Sequence, residues 1–461
     1  MPRFLSANPD PRLITLPWGT PLEDWPTENL VALPRGISRH VVRFVRVGHD
    51  VYALKEVVEH LARHEYLMLR DLNRLDTPSV EPVGVVTERV AADGTTLDSI
   101  LITRHLQFSL PYRTVFNRGV RPDTVNRLVD AMVVLLARLH LVGFLWGDVS
   151  LSNTLFRRDA GAFAAYLVDA ETGELHDELT DGQREHDLAI ARTNLFGEFL
   201  DVQAGGLLDE SLDPETLVLS IETRYRELWS ELTEVEEFDG SQMHRIESRV
   251  RRLNALGFDV AELDITTDFA GSTVRIQPKV VDAGHHSRRL LRLTGLDVEE
   301  NQARRLLNDL DTFRAQTDQQ GADEAIVAHQ WLQQRFEPVI AAVPSSLGSK
   351  LEPAELYHEV LEHRWFLSEG AGHEIPLPEA AQSYVRSVLK HRPDERVEVP
   401  GSEELTQLQN PYDPSQGFID DEGEKPYDPW EDDNLGPDAE TAGAAADFLD
   451  IDALRRKNRK D

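Results

Sequence analysis

GFLWGDVSLSNTLF, residues 143–156, places Asp148 and Asn153 on a short polar opening between two apolar runs. Phe144-Leu145-Trp146 leads in and Thr154-Leu155-Phe156 leads out, so both flanks read as buried chain and the residues between them as a loop held at each end. A carboxylate and a carboxamide fixed this way, with Asp-x4-Asn spacing, match the loop of a phosphoryl-transfer enzyme. There the Asp faces the acceptor hydroxyl and the Asn ligates a metal ion. The spacing alone is common, so its weight depends on what surrounds it.

Working outward, the surroundings supply the other groups that transfer of a phosphoryl group from ATP requires: a cation on the α/β-phosphates and carboxylates on Mg²⁺. Upstream, VVRFVRVGHDVYALKEV (41–57) alternates on both sides of Gly48-His49-Asp50 and predicts a β-hairpin. Lys55 ends its second strand in VYALK, a hydrophobic-Ala-hydrophobic-Lys pattern that fits a phosphate-facing lysine. Leu61, Glu65, Met68 and Leu72 then fall at helical steps, which puts Glu65 on a helix where it can pair with Lys55. VEPVGVV and SILITRHL predict two further strands, and Pro122-Asp123 opens a helix to about Val142 with Leu128, Met132, Leu135, Leu136 and Leu139 on one face. Downstream, NTLF, the turn RRDAG and AFAAYLVDA predict a second hairpin, whose end delivers Asp169 as a Mg²⁺ ligand. Lys55, Glu65, Asp148, Asn153 and Asp169 occur in the expected order, each on the expected type of element.

LHLVG…GDVSLSNTLF…YLVDAETGEL resembles the protein-kinase-like superfamily, in particular its lipopolysaccharide-core (Kdo/heptose) sugar kinase branch. The resemblance covers about residues 28–205. The whole chain, with phrases such as HEVLEHRWFLSE, resembles an uncharacterised actinobacterial family that joins such a domain to a C-terminal domain of unknown function. The first likeness implies a two-lobed α+β domain, ATP and Mg²⁺ as cofactors, and a hydroxyl acceptor. The second implies no activity for the remainder.

This sequence departs from the kinase pattern at several points. Trp146 stands where a His usually precedes the catalytic Asp, the metal triplet is Asp169-Ala170-Glu171 rather than Asp-Phe-Gly, and no activation segment closes on Ala-Pro-Glu. The phosphate loop LPRGISRHVVRF has one glycine, Gly36, so its phosphate contacts fall to backbone amides with Arg35, Ser38 and Arg39; Arg39 and His40 read equally as ordinary hairpin residues. These losses argue against a protein acceptor and for a small-molecule or sugar hydroxyl. They also keep open an alternative, an ATP-binding regulator or scaffold without turnover that acts through its helical half and tail. Asp187 reads either as a brace under the catalytic loop or as a helix N-terminal carboxylate favoured by the dipole. His140 reads as a satisfied structural histidine.

The sequence divides into an irregular Pro-rich lead-in (1–27), the kinase-like domain (28–205), a mainly helical domain (206–398) and an acidic tail (399–461). The helical domain carries helices near 215–236, 241–255, 298–316, 323–342, 352–369 and 377–391, and a strand pair, DVAELDI with STVRIQPKVV. His358 and His363 are spaced five apart, wrong for two zinc ligands on one helical face, and the helix reads as packing Tyr357, Leu361, Trp365 and Phe366. Arg275, Lys279, His285, His286, Arg288, Arg289 and Arg292 cluster where a helix N-terminus could bind phosphate; the competing reading is a solvated face that offsets neighbouring acids. The tail is Pro/Gly-rich and acidic, a composition of disorder, and DFLDIDALRRK at its end could fold as a short helix on a protein partner.

Composition narrows the class. The chain has 461 residues, a formal net charge of −33 and no cysteine. The charge argues against a nucleic-acid coat; without cysteine there are no disulfides or thiolate chemistry, which suits a reducing cytoplasm. No apolar run approaches the ~20 residues of a membrane span.

Overall fold

The structure is a computed structural model that describes residues 2–395, except 7–9, 32, 34–38, 49, 118–119, 234–235, 240–247, 249–252, 254–257 and 268–272. It has the α+β composition expected, an antiparallel sheet lobe followed by mainly helical chain. Gly36 and Ser38, most of the predicted 241–255 helix and the 399–461 tail lie outside the described residues. The chain divides into two compact units: residues 1–157 with 165–225, and residues 158–164 with 226–396.

In the first unit, β1 (Arg3–Leu5), β2 (Leu30–Val31), β3 (Val41–Val47), β4 (Asp50–Val57) and β5 (Pro82–Thr87) belong to a six-stranded antiparallel sheet. A short ribbon, β6 (Arg89–Val90) with β7 (Thr96–Leu97), leads to the sixth strand, β8 (Ser99–Arg104), and the spatial order is β1-β5-β8-β4-β3-β2. The predicted hairpin is β3–β4, with Val47 opposite Asp50 and Gly48 at φ +67° carrying the turn. Alternation along β4 fixes the faces: Tyr52 and Leu54 point into a core shared with Leu13, Trp18, Leu22 and Trp25. The lead-in is therefore not merely a lead-in. Its short 3₁₀ turns cover one face of the sheet, and buried Arg89 pins them by donating to the carbonyls of Trp18 (3.0 Å) and Thr20 (2.6 Å).

The opposite face carries Lys55, and against this sheet packs α1 (Glu59–Arg74), which buries Ala62, Glu65, Leu69 and Leu72. β9 (Leu110–Pro111) and α2 (Tyr112–Phe116) lead to α3 (Pro122–Leu141), in which all five of the predicted apolar-face residues are buried. Next come β10 (Phe144–Leu145), β11 (Thr154–Asp159), β12 (Ala162–Leu167), β13 (Glu174–Leu175), α4 (Asp181–Ala204) and α5 (Pro214–Thr233). β10 pairs with β13, a close approach that only glycine permits at Gly143: φ is +81°, and a Cβ there would lie 2.1 Å from the carbonyl oxygen of His176.

The second unit contains a three-stranded sheet and α-helices at His285–Thr294, Glu300–Gln316, Glu324–Trp331, Glu337–Ala341, Pro353–Ala371 and Leu377–Ser387. The predicted strand pair, Phe258–Thr267 with Thr273–Ala283, gains a third strand, Glu236–Asp239. Its core is built around Leu306, Leu310, Trp331, Tyr357 and Tyr384. One expectation needs correcting here, and at the His285 helix the reading of basic residues beside neighbouring acids gains support. Tyr357 is buried, but Trp365 and Phe366 are 47% and 51% exposed, standing on the solvent side of their helix, and meet edge to face at 4.9 Å. The helix N-terminus at His285 is filled by protein: Glu300 accepts from the backbone N–H groups of His286 (2.8 Å) and Ser287 (3.0 Å), so no phosphate is needed there. His358 and His363 take separate partners, Glu362 and Ser383.

Candidate functional site

The sheet, α1 and the loop after β12 converge on one cation. Lys55 Nζ donates to Glu65 Oε2 at 2.9 Å, Asp169 Oδ2 at 2.7 Å and Glu171 Oε2 at 3.1 Å. Glu171 also meets His40 Nε2 at 2.9 Å and stands 4.0 Å from the Arg39 guanidinium, which is otherwise exposed. One ammonium thus faces three carboxyl groups. Burial pushes the Glu65 carboxyl up to about 8, and the nearby charge of Asp169 adds to the rise against the opposing pull of Lys55. For Lys55 burial works the other way, lowering its pKa, but the fields of Glu65 and Asp169 outweigh it and hold the ammonium above its ordinary range.

Oxygens of Glu65, Asp169 and Glu171 lie within 4.8 Å of one another, a set of hard donors of the kind Mg²⁺ takes. Asp169 is held for such a role by its surroundings: its Oδ1 accepts from the backbone N–H of Glu171 at 2.9 Å and its carbonyl from the Trp146 indole N–H at 3.1 Å. Trp146, fully buried, thus spans from the Asp148 loop to the Asp169 loop. The Thr172 hydroxyl closes the link by donating to the Trp146 carbonyl at 2.9 Å.

On the loop itself, Asn153 Nδ2 donates to Asp148 Oδ2 at 3.0 Å and to the Asp148 carbonyl at 3.1 Å. With the nitrogen engaged by Asp148, the oxygen is the atom of this amide that could meet a cation. Lys55, Glu65, Asp169 and Glu171 form one cluster, and Asp148 and Asn153 form a second on the adjoining loop.

Three residues that carry the loop come from one stripe of α4. Asp187, fully buried, accepts from the backbone N–H groups of Trp146 (2.7 Å) and Gly147 (2.8 Å). Asn194 Nδ2 donates to Asp148 Oδ1 (3.0 Å) and the Val149 carbonyl (3.2 Å). Glu198 accepts from the N–H groups of Leu151 (2.7 Å) and Ser152 (2.8 Å) and from the Ser152 hydroxyl. Asp187 is therefore a brace, whereas Asn194 and Glu198 went unread in the sequence. The signal was there: polar residues at positions 187, 194 and 198 share a helical stripe with buried Ala191 and Leu195. His140 sits behind this brace, its Nε2 3.1 Å from Asp187 and its Nδ1 2.5 Å from the Tyr225 hydroxyl, with burial favouring the neutral ring. A neutral imidazole that donates from Nε2 to the carboxylate accepts from Tyr225 at Nδ1.

Residues 227–389 match the family described as domain of unknown function, DUF4032. No curated protein matches the chain. A solved structure described as "WaaP in complex with acyl carrier protein" is 18% identical and aligns over 55% of this chain and 99% of its own, with a TM-score of 0.32. A likeness of that size assigns neither a fold nor an activity. Among the described residues, no helix is long and apolar enough to cross a membrane.

Proposed function

We propose that residues 28–205 form a kinase-like domain that binds ATP with Mg²⁺ and transfers the γ-phosphate to a hydroxyl acceptor, a small molecule or sugar rather than a protein. The observation that carries this reading is the convergence on Lys55, which meets Glu65 at 2.9 Å and Asp169 at 2.7 Å across 114 positions of sequence. Lys55 would hold the phosphates, with Glu65 orienting it and Arg39 supplying further positive charge at the mouth. Asp148 would receive the acceptor proton as the hydroxyl oxygen bonds to the γ-phosphorus and the bond to ADP breaks. Asn153 and Asp169 would hold Mg²⁺, which neutralises phosphate charge when bound. What supports a small acceptor is the short connection: the chain passes from Glu171 through β13 directly to α4 at Asp181, with little chain there to receive a peptide.

The second reading, a nucleotide-binding regulator without turnover, draws on Glu171. It occupies Lys55 at 3.1 Å, where phosphate oxygens would have to sit.

Calorimetric titration with ATP, with and without Mg²⁺, tests the site. Wild-type protein is expected to bind in a metal-dependent way and Asp169→Asn to lose that binding; failure of the wild type to bind ATP overturns both readings. Turnover separates them, since Asp148→Asn should abolish product in the first and change nothing in the second.

A further inference from the structure

We propose that Asn194 is the positioning residue that fixes the direction of the Asp148 carboxylate, an inference that rests on the phosphotransfer reading for its purpose but not for its geometry. A carboxylate rotates readily about its terminal torsion, and to meet an acceptor hydroxyl it must present a lone pair not already used. In Asp148 each oxygen takes one amide: Oδ2 from Asn153 and Oδ1 from Asn194, both at 3.0 Å. These two donors do not do the same work. Asn153 belongs to the same loop as Asp148 and moves with it, so it cannot by itself orient the carboxylate relative to the rest of the domain.

Asn194 supplies an external reference. It stands on α4, a helix of 24 residues, and its nitrogen is anchored a second time on the Val149 carbonyl at 3.2 Å. The helix is tied to the loop on either side of it, through Asp187 to Trp146 and Gly147 and through Glu198 to Leu151 and Ser152. Loop residues 146–152 are thus addressed in order by helix positions 187, 194 and 198, and only the middle contact reaches a side chain of the loop that could act on an acceptor. The chemistry of the donor also fits. A lysine in this place would orient Asp148 but oppose proton uptake through its charge, whereas an amide orients it and adds none.

The test uses Asn194→Ala and Asn194→Asp in the full chain, with crystal structures of each and ATP hydrolysis in Mg²⁺ as the turnover probe. Asn194→Asp keeps the volume and replaces the donor with a charged acceptor, so the Asp148 torsion, and not the rate alone, separates orientation from packing. Both variants are expected to show Asp148 in altered or multiple side-chain torsions. Both should bind Mg²⁺-ATP within about twofold of wild type while kcat falls about 10- to 100-fold, the scale of a small misplacement of a reacting group. An Asp148 torsion unchanged in both variants, or an Asn194→Asp protein as active as wild type, overturns the proposal. If the wild type binds ATP without turnover, or does not bind it, the phosphotransfer reading fails and the torsions still decide the role of Asn194. Should Asn194→Ala not fold, Asn194→Asp carries both readouts.

Discussion

Glu65 is where the balance of charge in the site is most exposed to measurement. Its carboxyl, 1% exposed, shares one ammonium with two other carboxylates and is pushed up to about 8. A folded-state pKa above the unfolded value of about 4.5 means that the native protein holds the extra proton between those limits. Stability is therefore full below about 4.5 and is lost as pH rises towards about 8. Thermal melts from pH 5 to 9 in EDTA should show this fall in the wild type and not in Glu65→Gln; parallel curves for the two would show that Glu65 is not the group responsible. At this scale the sequence was legible in its pairings: Lys55 meets Glu65 and Asp169, and Asn153 meets Asp148. It was less so at Glu171, read only as a departure from Asp-Phe-Gly, because nothing in a sequence says which of three nearby carboxylates a lysine will reach.

Elements decide which side chains meet. The period-2 alternation of β4 sends Tyr52, Leu54 and Glu56 to one face and Lys55 to the other, so one strand serves both the core and the site. On the core side, Arg89 is fully buried and donates to Glu56 Oε1 and to the carbonyls of Trp18, Thr20 and Asp98. Arg89→Ala would leave a carboxylate and three carbonyls with reduced partners in a buried place, a loss of about 3–5 kcal/mol. Denaturant unfolding should register it, and a change below about 1 kcal/mol would mean that water replaces the guanidinium. The hairpin, α1 and α3 were readable because each is long and strongly periodic. The brace on α4 was harder to read, since Asn194 and Glu198 look like ordinary polar positions until the loop they touch is folded against them.

Across the whole molecule the dominant feature is charge. With a formal net charge of −33, self-repulsion weakens the compact state, and salt screens it over a Debye length that shrinks from about 30 Å at 0.01 M to about 8 Å at 0.15 M. The melting temperature should therefore rise with sodium chloride across that range, by scanning calorimetry without Mg²⁺ or nucleotide; a temperature that falls would place the balance with local ion pairs such as those of Lys55. Most of residues 227–389, the region matching a domain of unknown function, fold as the mainly helical unit with its own core around Trp331 and Tyr357. Its exposed Trp365–Phe366 pair shows the limit of periodicity, which places residues on a helix but does not say how wide a stripe the neighbouring helices will cover.

By itself the sequence determined the α+β class, the order of the elements and which polar residues lie on the loops and strand that converge on Lys55, because periodicity and residue chemistry are local properties. Only the tertiary structure decided that the Pro-rich lead-in closes the sheet through Trp18 and Trp25, that Trp146 links the Asp148 loop to Asp169, and that Asp187, Asn194 and Glu198 hold the Asp148 loop from behind. Those contacts join residues tens of positions apart in sequence, and they form only when burial has removed water as the competing hydrogen-bond partner.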